Sequence, residues 1–195
     1  MTRLERLSRE ARACRICEAH LPLGPRPVFR VSGAARLLII GQAPGRLVHE
    51  TGLSWNDPSG DRLRDWLGLD RETFYDAKRV ALLGVGFCYP GLDKRGGDRP
   101  PRPECAPTWQ ARFIALMPQV ELTLLVGSYA HAFHLGTDRA KTMTETVAAW
   151  RNHPTSRLPL PHPSWRNTAW LKRNPWFERE LLPVLRRRVA RLVAG

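Results

Sequence analysis

An α/β fold built on a mainly parallel sheet is the architecture this sequence predicts, and two observations predict it. Four apolar runs recur along the 195 residues: RLLIIG (36–41), RVALLGVGF (79–87), LTLLVGS (122–128) and LPLPHPS (158–164). Helix-like stretches lie between them. Strands that are apolar at nearly every position suit a sheet buried on both faces, and strand–helix alternation makes its connections parallel crossovers.

Each element has its own justification. The first three runs read as buried strands. The fourth is weaker, because its prolines cannot donate to a ladder and confine it to an edge or a strand end. At the N-terminus, Leu4, Leu7 and Ala11 share one side of an amphipathic helix. SGDRLRDWLGL reads as a helix with Ser59 as N-cap; PECAPTWQARFIALMP and GSYAHAFHLG are two more. In NPWFERELLPVLRRRVARLV, Asn174 is the expected cap and Pro175 the first-turn residue, with a kink at Pro183. No repeat or linker interrupts residues 1–195, so a single domain is expected. CYPGLDKRGGDRPPRPEC is a long loop inside it, and loops of this length are usually functional.

Composition narrows the function. Lys and Arg number 31 against 18 Asp and Glu, a net charge of +13. Such an excess points to a polyanion, above all nucleic acid, as the partner. Seven tryptophans lean the same way, since indoles stack on bases, although most are expected in the core. No apolar run approaches the ~20 residues of a membrane span, and the first residues lack the apolar stretch of a secretory signal. No membrane partner is therefore expected; the location is taken to be cytoplasmic, nucleoid-associated in a prokaryote, and the chain a monomer.

Four cysteines carry the next signal: Cys14 and Cys17 as C-x2-C, then Cys88 and Cys105 as a wide pair around the long loop. Without a secretion signal, disulfides fit poorly. Zinc, an iron–sulfur cluster and unligated thiols all remain open on spacing alone. In open α/β sheets, chemistry gathers beyond the carboxyl ends of the strands. There the sequence places GQAPG (41–45), where glycine and proline make a tight turn that brings backbone, Gln42 and Ala43 included, close to a ligand, and HPSWRN (162–167), with a histidine between two prolines.

Taken together these motifs resemble the uracil-DNA glycosylase superfamily, specifically its iron–sulfur-containing branches, from about Cys14 to Leu171. GQAPG is similar to the GEAPG and GLAPA turns of those branches. HPSWRNT is similar to the HPS-x-x-N-T form of the broad-specificity branch, and NDPSGD to its G-D-x-S-G-D stretch. The resemblance implies a three-layer αβα sandwich with a central four-stranded sheet, and a [4Fe–4S] cluster on Cys14, Cys17, Cys88 and Cys105. It implies action on DNA containing a damaged or deaminated base, by hydrolysis of the N-glycosidic bond. His162 would stabilise the departing base and Asp57 would position water, with Gln42 at the motif-one position and Asp61 and His49 in reserve. Trp55 stands where the family stacks an aromatic on the base. Ser164, Trp165, Arg166 and Asn167 would meet DNA, Arg166 as the wedge that fills the gap in the stack. One departure matters: uracil-specific relatives carry a base-reading asparagine where this chain has Gly84. Asn56 is the candidate substitute. A broader substrate range, or a catalytically idle nucleic-acid-binding protein, are the alternatives.

Overall fold

The computed structural model describes residues 1–194. Four strands form one all-parallel sheet: β1 (Leu37–Gly41), β2 (Val80–Gly84), β3 (Leu122–Val126) and β4 (Arg157–Leu160). Their order is β2-β1-β3-β4. The sequence-based strands are all present, and the proline-bearing β4 sits at an edge, as its missing amides require. The register pairs Leu37 with Val80 on one side and with Leu122 on the other.

Nine α-helices surround the sheet among the described residues: α1 (Arg3–Arg12), α2 (Arg46–Thr51), α3 (Pro58–Leu67), α4 (Arg71–Tyr75), α5 (Cys105–Ala115), α6 (Ser128–Leu135), α7 (Met143–Ala148), α8 (Thr168–Arg173) and α9 (Leu182–Val193). Alternation along the strands divides the core in two. Leu37 and Ile39 face one layer, with Leu63 and Trp66 of α3 and Leu185 and Val189 of α9. Leu38 and Ile40 face the other, with Leu7 and Ala11 of α1 and Trp109 and Phe113 of α5. Both faces are dry, which is why every residue of β1 is buried. The outcome is the three-layer αβα sandwich. Cutting back a fully buried anchor such as Phe113 to alanine should cost roughly 3–5 kcal/mol.

Two helix ends differ from the sequence-based expectation. Asp57, not Ser59, caps α3, because its carboxylate takes the Gly60 amide at 2.8 Å while Pro58 fills the first turn. Asn174 ends α8 rather than starting the next helix: its side-chain amide donates to Trp170 O at 2.8 Å and its oxygen accepts from the Trp176 indole. At Pro183 the chain does change geometry. Lacking the amide an α-helix would donate four residues back, it is preceded by a π-helical turn over Phe177–Leu181.

The topology positions the site. From β1 the chain crosses to β2 on one side, then returns over β1 to β3 on the other. The crevice of such a sheet opens at the carboxyl end of the strand where direction reverses, here just past Gly41.

Candidate active site

Backbone comes first. Beyond β1 the ladder continues into the GQAPG turn, where Gly41 O accepts from Val85 N and Gln42 O from Gly86 N, each at 2.9 Å. Gly41 is required because the Trp55 indole lies on it: a Cβ there would come within 2.7 Å of the ring. Trp55 itself has φ 58°, in the left-handed region that a bulky side chain enters at a cost of roughly 1–2 kcal/mol. α3 holds it there. Gly60 lets the Trp55 carbonyl pass where a Cβ would stand 1.8 Å away, and buried Arg64 donates to that carbonyl at 3.1 Å. Arg64 also binds Asp61 at 2.6 Å and the Tyr75 hydroxyl at 3.4 Å, while that hydroxyl donates to Ser54 O at 2.9 Å.

Opposite stands His162, just past β4. Its ring centroid is 5.7 Å from that of Trp55. The side-chain amide of Asn167 donates to His162 O at 2.7 Å, and Arg62 donates to Ser164 O at 3.0 Å, so the HPSWRN turn is pinned from both directions. Burial holds the His162 imidazole below its ordinary range, with the Asp57 charge pulling the other way. The ring is therefore neutral near pH 7 and can donate a hydrogen bond without carrying charge.

These groups enclose a cavity of about 220 Å³. Gln42, Ala43, Trp55, Asp57, Gly84 and His162 line it, with Ser164, Trp165 and Arg166 on the same wall. Arg166 reaches across to Gly96 O of the long loop at 3.4 Å. Trp165 is the one exposed tryptophan of the seven, 76% accessible. Most sequence-predicted site residues thus meet in one place, but not all. Asn56 turns away, its oxygen accepting from Arg71 at 2.7 Å, and does not line the cavity. Asn167 is spent on the backbone of His162, Asp61 on Arg64, and His49 is buried against Tyr89.

Gly84 carries no side chain for a steric reason: a Cβ there would stand 2.3 Å from Gly86 O. Its own carbonyl is held by the Gln110 side-chain amide. Sequence reading missed Arg64, Gly60 and Gln110. Arg64 had a faint signal, a cation set between the apolar Leu63 and Trp66–Leu67. Asp98, a further carboxylate lining the cavity, had none, being one charge in a polar loop.

Away from this cavity the four cysteines share a second, much smaller pocket of about 20 Å³, walled by Ala11, Phe87 and Trp109. Among the described residues no three His, Cys, Asp or Glu side chains group tightly enough for a single metal ion. Cys105 Sγ accepts the Phe87 amide at 3.3 Å. Burial pushes the Cys88 thiol up to about 11 and Cys105 to about 12, and the neighbouring cysteines act in the same direction. Ionising thiols in such a pocket is costly without a cationic centre beside them. Four soft sulfur donors around one largely apolar pocket suit a soft metal centre better than a hard cation.

Against known families, residues 29–186 match the model described as the Uracil DNA glycosylase superfamily.

Proposed function

The chain belongs to the uracil DNA glycosylase superfamily, and from that premise we propose that it is a monofunctional DNA glycosylase that removes uracil or a related deaminated base. The observation that carries this reading is the pairing of His162 with Trp55 and Asp57 around one cavity. A flipped base stacks on the Trp55 indole. As the glycosidic bond lengthens, the base gains negative charge, and the His162 N–H, held by a braced backbone, stabilises it. Neutrality matters: the ring keeps its proton and donates only a hydrogen bond. On the sugar side Asp57 orients the attacking water, one oxygen being fixed by the Gly60 amide. Gln42 can orient water or base but cannot take a proton.

The bare wall at Gly84 supports a broad substrate range. With no side-chain amide to read the base edge, recognition rests on stacking and on the carbonyl that uracil, hypoxanthine and xanthine share. Trp165 and Arg166 face the DNA that the +13 charge attracts, with Arg166 filling the space the flipped base leaves. Cys14, Cys17, Cys88 and Cys105 would hold a [4Fe–4S] cluster. When bound, it supplies a structural cross-link between the end of α1 and the long loop.

The test is incubation with oligonucleotides carrying uracil, hypoxanthine or xanthine, followed by alkali. Strand breaks at one or more of these bases are expected. DNA binding without breaks at any of them would instead support a catalytically idle binding protein, the reading that the missing amide at Gly84 favours.

A further inference from the structure

We propose that Asp98 is a second catalytic carboxylate of this cavity, taking the proton of the attacking water while Asp57 orients that water. The proposal rests on the glycosylase reading above and deepens it. Asp98 belongs to the loop between Cys88 and Cys105. Its backbone bridges to Leu92, closing a tight turn that Asp93 pins by accepting the amides of Arg95 at 2.8 Å and Gly97 at 2.9 Å. That turn carries Asp98 over to the GQAPG loop, where its carboxylate lies 4.0 Å from the point a Cβ on Gly45 would occupy. It lines the cavity together with Asp57 and His162, and remains open to water on its outer side.

Chemistry selects it. The ionisable groups lining the cavity are Asp57, Asp98, His162 and Arg166. His162 is needed as a donor, and a guanidinium offers no acceptor lone pair. Asp57 has one oxygen committed to the Gly60 amide. Asp98 accepts no hydrogen bond and makes no ion pair among the described residues, so both of its oxygens are free. Its position at the water-exposed side suits the sugar, which lies outside the base pocket. Desolvation raises its carboxyl above the ordinary range, with Asp57 and Asp93 adding to the rise and Arg166 opposing it. The Tyr89 phenol senses its charge as well. A carboxylate with increased proton affinity is the better acceptor, and two acids in unlike environments divide the work.

The step balances. The water oxygen bonds to the anomeric carbon, and the carbon–nitrogen bond breaks with its electron pair leaving on the base. The water proton passes to Asp98 and on to solvent. The base anion, held by His162, later takes a proton from solvent.

The experiment is a single-turnover pH–rate profile on whichever of the uracil, hypoxanthine or xanthine oligonucleotides the wild-type protein cleaves, with affinity for the same oligonucleotide measured in parallel. Asp98→Asn should slow excision on the order of 10²-fold and remove the acid limb set by Asp98, while affinity stays unchanged. Arg166→Gln should keep that limb and move it to higher pH, because the cation that lowers the Asp98 carboxyl is gone. A wild-type rate and profile in Asp98→Asn would overturn the proposal. So would a slowed rate on an unaltered profile, which would make Asp98 only a support for its loop. A wild-type protein that cleaves none of the three oligonucleotides removes the glycosylase reading and this proposal together, whereas cleavage with an unchanged Asp98→Asn profile removes the proposal alone.

Discussion

The two pockets are built on opposite principles. The cavity beyond β1 is open and polar, and its geometry is set by backbone: Gly41, Gly60 and Gly84 each stand where a Cβ would collide, and Trp55 is held in a left-handed conformation. The cysteine pocket is much smaller and mostly apolar. There the unfavourable feature is chemical, since buried thiols resist ionisation unless a metal centre joins them. One pocket is preorganised by steric necessity and is ready without a ligand. The other, on the proposed reading, would be completed by its cluster. Chemistry on a flipped base needs the first arrangement, since reorganisation during the reaction would raise the barrier. A structural cross-link can tolerate the second.

The largest effects should come from the preorganised cavity. Asp57→Asn should lower excision by about 10²–10⁴-fold and His162→Ala by about 10²–10³-fold, with DNA affinity nearly intact, in single-turnover cleavage. Near wild-type excision in Asp57→Asn would pass the water to Asp98 or Gln42. A sharper probe of steric necessity is Gly84→Asn. Restoring the family's amide here should not produce a strict uracil enzyme. The new Cβ meets the Gly86 carbonyl, so the variant should lose stability by roughly 1–3 kcal/mol in urea unfolding, and its excision should fall with it. A stable, uracil-selective Gly84→Asn would show that the wall can move.

The cysteine pocket gives the next effect. Protein purified anaerobically should be brown, with about four irons per chain. Cys105→Ser should lose the colour. It should also lower stability by about 2–4 kcal/mol, as loss of a covalent cross-link does, or roughly 5–15 °C in the melting temperature. Colourless wild-type protein with stoichiometric zinc would break the comparison at this end.

A smaller, graded effect comes from neither pocket. His131 is buried between β3 and β4, where its Nε2–H donates to Leu125 O at 2.9 Å and Leu160 O at 3.1 Å. Burial depresses it to about 4. Between the ordinary histidine value of ~6.5 and about 4, the unfolded chain therefore binds the extra proton. The stabilisation from the neutral ring is complete above ~6.5 and is lost as pH falls through about 4, a change on the order of 3 kcal/mol. Melting temperature should decline over that window, and His131→Gln should flatten the decline. Excision by the His131→Gln protein at neutral pH should be unaffected, since the ring lies outside the cavity.

What the sequence determined was whatever depends on local pattern. Continuous apolar runs dictated strands buried on both faces, proline in the fourth run placed β4 at an edge, and the amphipathic face of α1 was legible from Leu4, Leu7 and Ala11. The glycine-proline turn and the locked histidine lie just past strand ends, so their meeting at one mouth of the sheet followed from parallel topology. Tertiary structure decided what depends on distance in space. Whether Asp57 or Ser59 caps α3 turned on a single amide, and Asn56 was drawn out of the cavity by Arg71, fifteen positions further along. Asp98 came to Asp57 across a long loop that carries no periodicity. Gly84 looked like the loss of a functional amide. Only the path of the chain through Gly86 shows that no side chain fits there, because steric exclusion by backbone depends on where two segments pass, and a sequence pattern records only what each segment favours alone.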